Sequence, residues 1–250
     1  AEVIEGCMHT LACDDLAALA AALSAYDVLA SLHTAPRPGG EGSPVADVRL
    51  LFTRAEEIGF IGAIAACREM TLPAGALVLA LENSRSFPHD SPIHAGPIVR
   101  VGDRLTIFTP ALTDAVAKRA EAIAGGASTV TASQKLADLP KWKWQRKLMA
   151  GGACEATVFC AHGYDATCIC LPLGNYHNMA ELAEVQAGTN TTPARVGREY
   201  IGLDDYDGLV DLLIACGTLS QGKPLTPTAG MPSMIDRLWN ERSFVLGKMA

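Results

Sequence analysis

Short apolar runs the size of buried strands alternate along this chain with longer segments in which Ala and Leu recur at helical spacing. That alternation restricts the chain to a layered α/β fold. Ala76–Leu81 (ALVLAL) and Ala166–Leu171 read as buried strands, and Val45–Thr53 (VADVRLLFT) as a third. Pro97–Val101 and Leu105–Phe108 read as shorter strands around the turn Gly102-Asp103. Helical periodicity covers Asp14–Leu32, a stretch from near Gly59 to about Met70, Ala111–Ala124, Gly151–Ala161, Gly197–Cys216 and Met234–Phe244. Asp14 and Asp15 sit at the start of the first helix, where the macrodipole favours negative charge. Thr34–Pro44 (TAPRPGGEGSP) is a loop, and Leu139–Lys147 is a mixed basic and aromatic segment. With no repeat, low-complexity tract or linker, residues 1–250 are expected to form one domain: a three-layer α/β/α arrangement around a mixed sheet.

Composition narrows the function. A chain of 250 residues with 49% hydrophobic and 19% charged residues has material for a full core. No uninterrupted apolar run approaches the roughly 18 residues of a membrane span, so no membrane partner is expected. These residues open on no basic-then-apolar segment, so no signal peptide is expected among them. The net charge is −7 and, outside the basic-aromatic segment, no Lys/Arg cluster occurs, which argues against nucleic acid as a partner. Eight cysteines without a single CxxC read as reduced thiols of a cytoplasmic protein. Cys168 and Cys170 are expected on one face of a strand, as small buried hydrophobes.

In open α/β sheets the chemistry gathers beyond the carboxyl ends of strands. Glu56 and Glu57 follow the run that ends at Thr53, Glu82 ends Ala76–Leu81, and His177 follows Leu171 by a short Pro/Gly loop. Asp14 opens a helix. Carboxylates brought together out of water repel unless a cation neutralises them. A convergent Asp, three Glu and a His therefore point to a divalent metal site. Oxygen and imidazole donors without thiolate suit zinc, cobalt or manganese. Each piece alone is as readily a solvated turn, a loop charge or a helix cap, and the order and context distinguish the set.

Leu50–Ala63 (LLFTRAEEIGFIGA) resembles the signature of the co-catalytic zinc peptidases, the glutamyl and tetrahedral aminopeptidases with their aminoacylase and carboxypeptidase relatives. Further elements follow in the same order: Cys13-Asp14-Asp15, Leu79–Asn83 (LALEN), Met149–Ala156 (MAGGACEA) and Leu171–Asn178 (LPLGNYHN). The resemblance runs from about residue 10 to residue 215. It implies a zinc-exopeptidase-like fold and an aminopeptidase that hydrolyses peptides with one or two ions, in assemblies of copies. By that resemblance Asp14 bridges two ions, Glu57 and His177 hold one of them, and Glu82 holds the other. Glu56 is the general base, and Asp15 orients the ligands from beside Asp14.

The pattern departs from the family in two places. The family's first ligand is a His in a His-x-Asp element on an earlier strand. The upstream histidine here, His9, has no Asp two residues on and reads as a loop residue. An N-terminal strand segment and the inserted oligomerisation domain are thus expected to lie outside these residues. In Gly152–Ala156, Cys154-Glu155 stands where the family often has Thr-Asp. Arg146, beside Trp142 and Trp144, is a candidate for substrate contact or, equally, a surface residue. The alternatives to an aminopeptidase are a deacylase or carboxypeptidase of the same superfamily, or a non-catalytic scaffold with an incomplete metal site.

Overall fold

The structure is a computed structural model, which describes residues 1–35, 43–126, 141–228 and 230–246. In chain order it contains β1 (Glu2–Ile4), β2 (Cys7–Thr10), α1 (Cys13–Thr34), α2 (Ile61–Arg68), β3 (Leu77–Arg85), β4 (Ile98–Asp103) and α3 (Pro110–Ala124). Then follow β5 (Gln145–Met149), α4 (Ala156–Ala161), β6 (Asp165–Leu173), α5 (Leu182–Ala187), β7 (Glu199–Gly202), α6 (Leu203–Gly217) and α7 (Gly230–Arg242). Most of the loop read at 34–44, and the first residues of the basic-aromatic segment, lie outside the described residues.

The main sheet has the order β3-β6-β4-β5. β3 is parallel to β6, β4 is antiparallel to β6, and β5 is parallel to β4, so the sheet is mixed. Side chains alternate across it. Leu79, Leu81, Val99, Ile169, Leu171 and Leu173 pack in one core with residues of α1, α3 and α6. Ala80, Ile98, Cys168 and Cys170 point to the other side, against Phe108, Cys154 and Ala156. There α2 and α4 close the layer through Ala63, Cys67, Val158 and Phe159. Helices on both faces of a mixed sheet give the expected three layers. All eight cysteines are free thiols, seven of them buried.

A second, antiparallel sheet has the order β1-β2-β7. It joins the main sheet where Gly174, just past β6, exchanges backbone hydrogen bonds with Tyr200 of β7. A Cβ on Gly174 would lie 2.1 Å from the Tyr200 ring, so this junction requires glycine.

Several segments differ from their sequence reading. Val45–Thr53 is not a strand: among the described residues its one bridge is Val45 to Thr218, and Leu51 and Phe52 stay exposed. Its apolar content suits a strand, but among the described residues backbone pairing is confined to its start, where Ala46 N–H donates to the Gly217 carbonyl. Leu105–Phe108 likewise makes only the bridge Gly102 to Ile107. Helix α4 begins at Ala156 rather than Gly151, and Arg146 lies on strand β5. The segment from 197 to 216 is β7 followed by α6, with the helix starting at the acidic pair Asp204-Asp205. His9 belongs to β2 and stacks on Tyr200, so it is not a loop residue. Helix α1 is long and apolar enough, by length and composition, to cross a membrane. Its apolar residues form no uninterrupted run because Ser24, Asp27 and Ser31 divide them. Here α1 is a core wall, burying Ala17, Ala18, Ala21, Ala25 and Leu29.

Leu171 is fully buried in the middle of this arrangement. Leu171→Ala is expected to lower unfolding stability by about 3 kcal/mol, read from the midpoint of urea denaturation, because its neighbours cannot collapse fully into the cavity.

Candidate metal centre

Two turns, a helix start and strand β3 itself deliver the acidic and imidazole groups to the carboxyl ends of β3 and β6. Asp14 and Asp15 have non-helical backbone dihedrals, and the regular turns of α1 begin after them. The Asp14 N–H donates to Glu199 Oε2 at 3.0 Å. Asn83, at the end of β3, donates through Nδ2 to Asp15 Oδ1 at 2.8 Å and to the Cys13 carbonyl at 2.9 Å.

Glu56 and Glu57 sit in a tight turn before α2. The Glu56 carbonyl accepts from Gly59 and Phe60 N–H, and Ala55 and Phe60 have left-handed backbones. Gly62 N–H donates to the Arg54 carbonyl at 2.9 Å. A Cβ there would lie 2.5 Å from Arg54 N, so the turn closes only over glycine. His177 is carried on a 3-10 turn (Tyr176–Asn178) in which Asn175, His177 and Asn178 are all left-handed. Asn178 Nδ2 ties the turn to the Leu11 carbonyl at 3.0 Å, and the His177 ring stacks on Tyr176.

These supports bring Asp14, Glu57 and His177 together, one ligand atom of each lying within 4.8 Å of the others. His177 Nε2 is 3.7 Å from Asp14 Oδ2. The Asp14 side chain is 7% exposed and that of His177 47%, so the group has a buried floor and an open rim. Two carboxylates and an imidazole form a donor set that fits zinc, manganese or cobalt, with coordination positions left open on the solvent side.

The surroundings are crowded with negative charge. Burial, then Glu57 and Glu199, push Asp14 up to about 6. Burial, then Glu57, Glu155 and Asp14, push Glu56 up to about 7. Asp15 leaves part of its surface open, but its carboxylate is turned inward to buried Asn83. Burial and then Asp14 push it up to about 9. Burial and Asp14 raise Glu82 well above the usual carboxylate range.

Of the residues read from the sequence, Asp14, Glu57 and His177 come together as a group that could hold a cation, and Glu56 and Asp15 act on it electrostatically. Glu82 lies close enough to interact with Asp14 but stays outside the group. Arg146 is on edge strand β5, exposed, and its charge acts on Asp114 of α3 rather than on this pocket. Sequence reading missed Glu199 as a site residue because it fell inside an expected helix. It attached no acid role to Glu155, whose carboxylate accepts from Thr53 Oγ1 at 2.9 Å and acts on Glu56 and Asp15. It also passed over Arg100, a lone polar residue in the apolar run 97–101, and Asn83, one of the polar residues that end β3.

No protein-family model matches this sequence, and no curated protein does. Solved structures do. An aminopeptidase from the archaeon Desulfurococcus kamchatkensis superimposes with a TM-score of 0.62 at 18% identity, over 87% of this chain and 50% of that one. The TET1 peptidase of Pyrococcus horikoshii gives 0.59 at 20% identity, over 88% and 52%. Yeast aminopeptidase 1 gives 0.52 at 13%, over 86% and 46%. The chain therefore has the fold of these aminopeptidases and spans about half their length.

Because Asp14 and Glu56 bind protons more tightly folded than unfolded, the metal-free protein is most stable when they are protonated. Its melting temperature is expected to fall from about pH 4, the ordinary carboxylate range, through about pH 7, the value to which Glu56 is raised, and on toward about pH 9, where Asp15 gives up its proton. Zinc affinity is expected to rise over the same interval, since the cation displaces those protons. Melting curves with and without zinc across this range check both slopes.

Proposed function

We propose that this chain is a metal-dependent exopeptidase, an aminopeptidase-like hydrolase that removes N-terminal residues from peptides. The observation that carries the reading is the convergence of Asp14, Glu57 and His177 beside the half-buried Glu56. The fold likeness to aminopeptidases supports it. Asp14, Glu57 and His177 hold a divalent cation, zinc first and manganese or cobalt as alternatives. Such an ion supplies a Lewis acid for a peptide carbonyl and acidifies water. Glu56 takes a proton from the attacking water and returns it to the leaving amine, and an acid raised to about 7 suits both halves of that task. Asp15, tied to Asn83, keeps Asp14 in register with the helix start.

The free thiols fit a reducing, cytoplasmic setting. Assembly of copies also belongs to the reading, since the Pyrococcus horikoshii peptidase assembles into a tetrahedron or a large octahedral shell.

Glu56→Gln is expected to lower hydrolysis of aminoacyl-p-nitroanilides by about 10²–10⁴-fold while zinc content stays unchanged. Asp14→Asn is expected to lose the zinc itself, read by elemental analysis after dialysis. Turnover of N-acyl amino acids in place of aminoacyl substrates by the zinc-loaded protein would replace the peptidase with a deacylase. Turnover of neither, with no effect of Glu56→Gln, would remove the catalytic reading.

A further inference from the structure

Outside the metal-centre group, Cys7, His94 and Asp204 meet from three parts of the chain: strand β2, the loop between β3 and β4, and the first turn of α6. Pairing of Cys7 with Gly202, the residue before α6, sets the thiol beside that helix start. The Cys7 sulfur lies 3.4 Å from His94 Nε2, and His94 Nδ1 lies 2.6 Å from Asp204 Oδ1. The imidazole thus turns one nitrogen to a thiol and the other to a carboxylate. With the ring proton on Nδ1, that N–H donates to Asp204 and Nε2 is left to accept from the thiol. A nucleophile, a base within hydrogen-bond reach and a third group that orients the base are the parts of base-activated nucleophilic chemistry. Among the described residues Cys7 is the one thiol hydrogen-bonded to an imidazole.

The backbone that carries the ring is firmly held. His94 has φ 68°, in the left-handed region that residues other than glycine rarely adopt. Its N–H donates to Asp205 Oδ2 at 2.8 Å, and its carbonyl accepts from Lys143 Nζ at 2.5 Å. The other oxygen of buried Asp205 accepts from Gly96 N–H at 2.6 Å, so one carboxylate fixes the loop on both sides of Ala95. Conformations of this kind persist only where the surroundings over-determine them.

Burial, then Asp205, Asp204 and Glu5, push the Cys7 thiol up, so the group rests as S–H and sheds its proton only as the sulfur attacks. His94 Nε2 is placed to take that proton, and the imidazolium so formed would stand against the Asp204 carboxylate. Cys7 is only 8% exposed, whereas the His94 side chain is 37% exposed, and Glu5 and Gly6, which lead into β2, are exposed. The approach to the sulfur is therefore narrow, and the carboxylates around it repel anions. A small neutral electrophile meets both limits.

We propose that Cys7, His94 and Asp204 form a nucleophilic triad that makes Cys7 a modification site for hydroperoxides. The sulfur attacks the terminal peroxide oxygen, and an S–O bond forms as the O–O bond breaks. The thiol proton passes to His94 and from there to the departing oxygen. Thiol and hydroperoxide thus give a sulfenic acid and an alcohol, or water where the oxidant is hydrogen peroxide. Sulfur is oxidised and the peroxide reduced, each by one electron pair. The triad shares no residue with the metal centre, and its test needs no bound metal.

Chelator-treated protein is exposed to hydrogen peroxide, quenched with catalase, unfolded and alkylated, and the free thiol left at each cysteine is read by peptide mass. Cys7 is expected to be oxidised ahead of the seven other cysteines. His94→Gly suits the left-handed backbone and is expected to slow Cys7 by roughly 10²-fold. Imidazole added to the buffer is expected to restore much of that rate by filling the space the ring leaves. Asp204→Asn is expected to slow Cys7 as well, with the other cysteines unchanged.

Oxidation of Cys7 no faster than that of the other thiols would overturn the proposal. So would an unchanged or faster rate in His94→Gly, the result of uncovering a thiol whose hydrogen bond is only structural. A slower rate that imidazole fails to restore would confine His94 to the fold and overturn it too. An unchanged rate in Asp204→Asn would overturn the triad. If His94→Gly does not fold, Asp204→Asn, whose carboxylate is half exposed, decides alone by the same rate.

Discussion

Asp14, Asp15, Glu56, Glu82, Glu155 and Glu199 meet at the carboxyl ends of β3 and β6, where carboxylates repel unless protons or cations neutralise them. Much of the local architecture is a response to that repulsion. Thr53 donates to Glu155, the Asp14 amide donates to Glu199, and Asn83 donates to Asp15. Arg100 brings a full positive charge from within the sheet. Dipoles and one guanidinium lessen the repulsion without abolishing it, as the raised values of Asp14 and Glu56 register. A pocket in that condition favours a divalent cation on electrostatic grounds before any likeness to another protein is considered.

The same requirement accounts for the strain in the loops. Carboxylates that repel do not approach each other on freely hinged segments. Here they are carried by backbone held in sparsely populated conformations. Ala55 and Phe60 bracket the Glu56-Glu57 turn in left-handed geometry, and His177 sits in a run of left-handed residues anchored by Asn178. Such conformations persist only where the surroundings over-determine them. Gly62 and Gly174 are the places where that over-determination becomes a steric demand: one lets α2 pass against Arg54, the other lets β7 dock on the end of β6.

What could be read in the sequence follows the physical range of each signal. Strand β6 was legible because it is buried along nearly its whole length, and β3 because Leu77–Leu81 is an unbroken apolar run, although it is a half-buried edge strand. Their ends marked Glu82 and the approach to His177. The alternation of strand and helix gave the three layers. Val45–Thr53 was misread because an apolar run reports burial potential, not the presence of a partner strand. β7 was missed because four residues carry too little periodicity to separate them from the helix that follows. Glu199 was hidden with it. Arg100 was illegible for a different reason. A buried arginine in a strand gains its meaning from Ser84 on β3 and Cys170 on β6, which only the fold brings beside it.

The sheet's mixed direction explains why the pocket has two chemically distinct sides. β3 and β6 run parallel, so their carboxyl ends open together and the loops after them converge. β4 runs the other way beside β6, so what it brings alongside those ends is its early part, with Arg100 as its third residue. Parity then sorts the contributions. Asn83 points to the α1 face and serves Asp15, whereas Glu82 and Ser84, one residue to either side, point to the face of Arg100 and the thiols. A one-residue step along β3 thus separates a polar support for Asp15 from side chains on the face of the buried guanidinium. In an all-parallel sheet β4 would run beside β6 in the same sense and offer that end a loop. Here the reversal places an interior strand residue there, dry and rigid enough to carry a fixed positive charge.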